Sequence, residues 1–73
     1  MTSFTELGIS TATRSTVFLH PGTDLARVRR ALALVDAERA ALGLDALAGV
    51  RRKAFASGVR SKLTQYRELG VIR

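Results

Sequence analysis

The fold is decided by the stretch TDLARVRRALALVDAERAALG, residues 23–43, which carries the clearest helical pattern in the chain. Thr23 or Asp24 supplies an N-cap, and the carboxylate of Asp24 suits the positively polarised start of a helix. Gly43 is placed to end the helix at the C′ position, with Leu44 packing back on it. The pattern predicts a helix over about 23–42, with one narrow apolar stripe. The stripe consists of Leu25, Val28, Leu32, Val35 and Leu42.

This stripe needs a surface to pack against, and a chain of 73 residues offers little. One domain of this size buries a small fraction of its surface, and without cysteine it has no disulfide or cysteine-based zinc site to stabilise it. The stripe spans fewer than three heptads, so an antiparallel hairpin or a dimer seam is favoured over a long coiled coil. We therefore expect self-association through the stripe, or a second macromolecule as partner.

The segment after Gly43 is helical in pattern but does not fit one straight helix. At 100° per residue, one apolar set lies about 120° around the helix from the other. The first set is Leu47, Val50 and Ala54, and the second is Phe55, Val59, Leu63 and Tyr66. Gly58 lies near the change from one set to the other, just before Val59, and glycine costs about 1 kcal/mol inside a helix, so it predicts a break. The expected helices are about 45–56 and about 59–69, the latter ended by Gly70.

The N-terminal residues show no helical period. Residues 1–14 are rich in Ser, Thr and Gly and predict a flexible arm. Residues 15–20 are β-prone and predict a possible short strand, ended by a turn at Pro21-Gly22. The predicted fold is therefore all-α, a small three-helix domain over residues 15–73 preceded by the arm.

Charge is unevenly distributed along the chain. The net charge is +6, and residues 44–73 contribute seven bases and two acids, a net +5. A local basic patch is the electrostatic footprint of a polyanion partner, although a solvated charged face that keeps a small protein soluble is the alternative. The concentration in one half favours the patch.

The sequence offers little to catalysis, cofactors or membranes. His20 is the single histidine, and Asp36 and Glu38 are two apart on a helix and cannot face each other. No phosphate-binding loop, nucleophile elbow or zinc-binding helix pattern is present. The longest apolar run, residues 31–35, is far below the roughly 20 residues that span a bilayer. We therefore expect a cytoplasmic protein that is not an enzyme, with no metal, cofactor or membrane partner.

Residues 54–72 resemble the end of a helix-turn-helix DNA-binding domain. Ala54 matches the small residue where two helices cross, Gly58 the turn glycine four residues later, and Val59 the apolar residue after it. The resemblance implies that the last helix enters the major groove of duplex DNA while the preceding helix contacts the backbone. The backbone contacts would be Arg51, Arg52 and Lys53. The groove-facing residues would be Arg60, Ser61, Lys62, Thr64, Gln65 and Arg67.

Residues 13–63 are similar in element order to a ribbon-helix-helix repressor, whose paired strands would present Arg14 and Thr16 to bases. We rank it second because the helix over 23–42 is long for that family. The expected function is a basic nucleic-acid-binding protein, a duplex-DNA-binding regulator or accessory factor acting as a homo-oligomer. The alternative is a helical structural or adaptor subunit of a larger assembly, such as a virion or nucleoprotein complex component.

Overall fold

The computed structural model describes residues 3–72 and confirms an all-α domain of three helices. These are α1 (Phe4–Arg14), α2 (Asp24–Ala41) and α3 (Gly49–Glu68), with a single 3₁₀ turn at Val17–Leu19 between the first two. Helix α3 is the longest, and both other helices pack against it. The core therefore lies along one side of α3.

Helix α2 forms where the sequence predicts it, because both of its ends are specified locally. The hydroxyl of Thr23 accepts a hydrogen bond from the backbone N–H of Ala26 at 3.2 Å. At the other end Gly43 has a φ of 75°, and the N–H of Leu44 donates to the carbonyl of Arg39 at 2.8 Å. This is a Schellman motif, which glycine forms without steric cost.

Residues 4–14 form a helix, so the predicted flexible arm over 1–14 is wrong for this part; residues 1 and 2 lie outside the described residues. Ser3 and Glu6 have capping-box spacing, and the Ser3 hydroxyl accepts from the N–H of Glu6 at 3.1 Å. Pairing with α3 then buries Ala12 completely. A segment rich in small and polar residues therefore forms a helix that packs in the core.

The predicted strand over 15–20 is not formed, and neither is the strand that the ribbon-helix-helix resemblance implied. Residues 17–19 form the 3₁₀ turn instead, with Val17 buried. The ring of Phe18 packs on Tyr66 of α3, with centroids 4.7 Å apart. This aromatic contact gives the segment a partner inside the domain, so no second strand is needed.

The predicted break at Gly58 is also wrong, because α3 runs through it as one helix of 20 residues. The turn that the helix-turn-helix resemblance implied is therefore absent. Gly58 instead lies against the backbone of α1, where a Cβ would overlap the carbonyl oxygen of Thr5 and lie 3.1 Å from the nitrogen of Ile9. Gly8 of α1 makes the reciprocal approach to Phe55. The glycine is present for helix packing, and its cost in helix propensity is offset there.

The predicted apolar anchors of α3 are largely confirmed. Phe55, Val59 and Leu63 are fully buried, and Tyr66 is half-buried. The other predicted face of this segment does not exist, since Leu47 is buried in the loop before α3 and Val50 is 83% exposed. The buried core consists of Ala12, Val17, Val28, Ala31, Leu32, Val35, Leu47, Phe55, Val59 and Leu63.

The stripe predicted for self-association is mostly used within the chain. Val28, Leu32 and Val35 are at most 5% exposed in the domain's own core, so they are not accessible to a second copy. Only the two ends of the stripe, Leu25 and Leu42, remain exposed. Of the two alternatives that the stripe left open, packing within the chain and a dimer seam, the structure shows the packing of α2 on α3.

A clasp joins the start of α2 to the end of α3. The carboxylate of Asp24 accepts hydrogen bonds from Arg67 at 2.7 Å and from Arg27 at 2.9 Å. Arg27 is nearly buried and also donates to the carbonyl of His20 at 3.0 Å. The bond from Arg67 lowers the pKa of Asp24 below its ordinary value, burial opposes this, and the bond from Arg27 adds to the lowering.

We expect Asp24→Asn to lower the free energy of unfolding by about 1–2 kcal/mol at pH 7, because two charge-assisted hydrogen bonds lose their anion. A depressed folded-state pKa means that the carboxylate stabilises the fold above the ordinary value of 3.8, and that this contribution is lost as the pH falls through the folded-state pKa. Urea unfolding at pH 7 and pH 3 measures both effects. An equal difference between the two proteins at both pH values would contradict the assignment.

Candidate functional site

A groove between α2 and α3 collects basic side chains over an apolar floor. It has a volume of about 430 Å³, and we call it the basic groove. Its floor is formed by Leu25, Val28, Leu32 and Ala56, and Gly49 lies at one end. Its bases are Arg29 of α2 and Arg52, Lys53 and Arg60 of α3. Among residues 3–72, no acidic residue lines it.

The four bases of the basic groove are exposed, and within residues 3–72 none of them forms an ion pair. Helix geometry explains their convergence. Arg52, Ala56 and Arg60 follow one another at steps of four, and Lys53 precedes Arg60 by seven, so all lie along one side of α3. Four like charges without a counter-ion attract an anion from solution.

The start of α3 adds to the positive potential at the Gly49 end of the groove. Helices α1 and α2 each begin with a side-chain cap and an acid in the first turn, whereas the N-cap residue of α3, Ala48, makes no such bond and no acid follows. Three bases at 51–53 follow instead. Cations at the positive end of a helix dipole are unfavourable, and an anion bound there would relieve this.

Three of the nine residues predicted to bind nucleic acid line the basic groove: Arg52, Lys53 and Arg60. Arg51 instead stacks over the ring of Phe4, 5.4 Å from its centroid. Arg67 is held in the clasp with Asp24.

The remaining four predicted residues lie farther along α3 and do not line the groove. Lys62 donates to the side-chain oxygen of Gln65 at 3.0 Å and lies over the Tyr66 ring. Ser61 and Thr64 are exposed. The structure therefore does not gather all the bases of α3 on one surface.

Sequence reasoning missed Arg29. It lies four residues after Leu25 and three before Leu32, so the period of the apolar stripe places it at the stripe's edge. That spacing was visible, but it identifies a binding residue only once α3 is known to pack beside α2.

A second cavity, about 520 Å³, lies beside the 3₁₀ turn and is lined by Thr16, His20 and Arg30 among others. Partial burial lowers the pKa of His20, and the nearby charges of Arg30 and Arg27 lower it further. Within residues 3–72 no three His, Cys, Asp or Glu side chains are grouped so as to hold a metal ion. This cavity therefore offers His20 no acidic partner and no metal site.

None of the helices in the described part of the chain is both long and apolar enough to cross a membrane. Comparisons of the sequence with protein-family models and curated proteins, and of the structure with solved structures, find no match. The functional argument therefore rests on the geometry and charge of the basic groove.

Proposed function

We propose that this protein binds nucleic acid through the basic groove, as a regulator or accessory factor acting on duplex DNA in the cytoplasm. The single observation that carries the proposal is the convergence of Arg29, Arg52, Lys53 and Arg60 on one groove that no acidic residue of the described part of the chain lines. The uncapped start of α3 supports it, because exposed N–H groups at a helix start bind phosphate.

The dimensions of the groove favour a polymer of phosphates over a single small anion. Arg52 and Arg60 are eight residues apart, which corresponds to about 12 Å along the helix axis. Along the axis of B-DNA each strand presents a phosphate every 3.4 Å or so, so the row of basic side chains is long enough to face more than one phosphate. A small anion would use only one end of this row.

The proposal predicts a salt-dependent affinity for duplex DNA. If four phosphates are neutralised, the logarithm of the association constant should fall against the logarithm of salt with a slope of about −3.6. The affinity should then drop about 150-fold between 50 and 200 mM salt. Fluorescence anisotropy with a labelled duplex of about 20 base pairs measures this. No binding at 50 mM salt, or binding that salt does not weaken, would remove the proposal.

A structural or adaptor subunit is the second candidate, and one observation favours it. Three large apolar side chains stand exposed around the connection between α2 and α3: Leu42 at 76%, Leu44 at 49% and Val50 at 83%. Exposed apolar side chains close together mark protein contacts. A partner or second copy bound here would survive high salt, whereas nucleic acid in the basic groove would dissociate. Light scattering at 50 mM and 500 mM salt separates the two.

A further inference from the structure

The shape of the basic groove decides which part of a nucleic acid can enter it. Direct reading of bases in a duplex requires a protruding element, such as a helix or a two-stranded ribbon, that fits the major groove. Arg29, Arg52, Lys53 and Arg60 instead line a concave surface between two helices. A concave basic surface is complementary to a convex anionic ridge, and the phosphate backbone is that ridge.

The side chain best suited to recognising a nucleobase lies on the side of α3 opposite the basic groove. Gln65 is the single residue with a carboxamide side chain in the chain, and a carboxamide is the usual reader of adenine. It follows Ala56, in the floor of the groove, by nine residues, which is two and a half helical turns. Gln65 therefore points away from the basic groove, and it accepts a hydrogen bond from Lys62.

Arg60 is the one predicted base-reading residue of α3 that lines the groove, and the others lie outside it. Ser61 lies about 140° around the helix from Ala56. Arg67 shares the side of Arg60 but is held by the carboxylate of Asp24 at 2.7 Å. What remains in the basic groove is three arginines and a lysine over an apolar floor. An arginine reads guanine only where it reaches the base edges inside the major groove, and side chains that line a concave surface meet the phosphate ridge first.

We propose that the basic groove binds the phosphodiester backbone alone, so that nucleic acid is bound without regard to sequence. This rests on the proposed function and specifies its mode. The cations neutralise phosphates, and the exposed side chain of Leu25 beside them contacts deoxyribose. Contacts to phosphate and sugar position a protein on a duplex and carry no direct sequence information.

Selection from a random 20-base-pair duplex library, followed by sequencing, tests the inference. We expect no enriched motif, and affinities of selected and scrambled duplexes within about tenfold at 50 mM salt, against the thousandfold or more that specific binders reach. Ser61→Ala with Gln65→Ala should leave the affinity within about twofold, because neither side chain reaches the bound strand.

Different outcomes would contradict backbone-only binding and nucleic-acid binding itself. A selected duplex bound more than about tenfold more tightly than its scrambled form would overturn backbone-only binding while leaving nucleic-acid binding in place. Loss of affinity in the Ser61 and Gln65 double variant would do the same, since α3 would then enter the major groove by its outer face. Absence of binding to the whole library at 50 mM salt would remove the proposed function itself.

Discussion

Gly58→Ala and Gly8→Ala are each expected to lower the free energy of unfolding by about 2–4 kcal/mol, although each adds only one methyl group. A Cβ at Gly58 would overlap the carbonyl oxygen of Thr5, and a Cβ at Gly8 would overlap that of Phe55. Both obstacles are backbone atoms, so no side-chain rotation relieves the overlap. The helices must move apart, and the fully buried Phe55, Val59 and Leu63 beneath them lose packing.

The expected sign is opposite to that of helix propensity. Inside a helix, alanine is favoured over glycine by about 1 kcal/mol, so both substitutions would stabilise α1 or α3 alone. Neither glycine has a positive φ, so backbone strain plays no part. A net loss would therefore report helix–helix packing directly.

The two glycines face the same crossing, so their effects should not add. Once the first alanine has separated α1 from α3, the second meets less resistance, and the double variant should lose less than the sum of the two. Circular dichroism during thermal unfolding measures this, with a fall of about 10 °C or more expected for each single variant. Ser57→Ala and Ser10→Ala, at exposed helical neighbours, are controls within about 0.5 kcal/mol of the parent. Unchanged melting of the glycine variants would contradict this packing.

The helix ends that were predicted correctly from the sequence are those with local signals. Helix α2 begins after the Thr23 cap and ends at Gly43, which has a left-handed backbone conformation. Gly70 ends α3 in the same way, and the N–H of Val71 donates to the carbonyl of Tyr66 at 2.9 Å. Such signals depend on a few neighbouring residues. Such signals therefore predict a helix end without knowledge of how distant segments pack.

The elements that sequence missed depend on contacts between distant segments. Helix α1 is rich in residues typical of loops, and its stability comes from close packing on α3. The same packing makes Gly58 a contact residue in place of a helix breaker. One signal was available: Gly8 and Ala12 on α1, and Ala54 and Gly58 on α3, are both pairs of small residues four apart, the spacing that lets two helices approach closely.

Only part of the candidate site could be predicted from the sequence. The run at 51–53 and Arg60 stood out by charge, and three of these residues line the basic groove. Charge alone does not say that Arg51 turns to Phe4 while Arg52 turns to the groove, because that depends on where α1 and α2 pack on α3. Arg29 joins the site for the same reason.

Arg29→Gln combined with Arg52→Gln is expected to weaken duplex binding about 60-fold at 100 mM salt and to halve the salt slope, to about −1.8. The slope halves because two of four phosphate contacts are lost and each contributes about 0.9. The loss of about 60-fold is that difference in slope applied from 1 M salt, where the two proteins are taken to bind equally, down to 100 mM. The electrostatic attraction of the remaining groove bases, Lys53 and Arg60, should preserve weak binding.

The chain supplies a matched control, because each of these arginines has an arginine beside it that faces elsewhere. Arg30 lines the cavity beside His20, and Arg51 stacks over Phe4. Arg30→Gln with Arg51→Gln removes the same two charges from the same two helices. At 100 mM salt the Debye length is about 10 Å, so charges that point away from the groove act on a bound strand more weakly than those that line it. We expect this control to lose less than about threefold.

Thermal unfolding of both double variants must accompany the titrations, because loss of the stacking of Arg51 on Phe4 removes a cation–π contact worth about 0.5–1 kcal/mol. A modest loss of stability in the control would strengthen the comparison, since the more stable groove variant would then be the one that fails to bind. Equal weakening by the two pairs would show that net charge, and not the basic groove, attracts the nucleic acid. Weakening by the control pair alone would place the binding surface at the Phe4 side of α3.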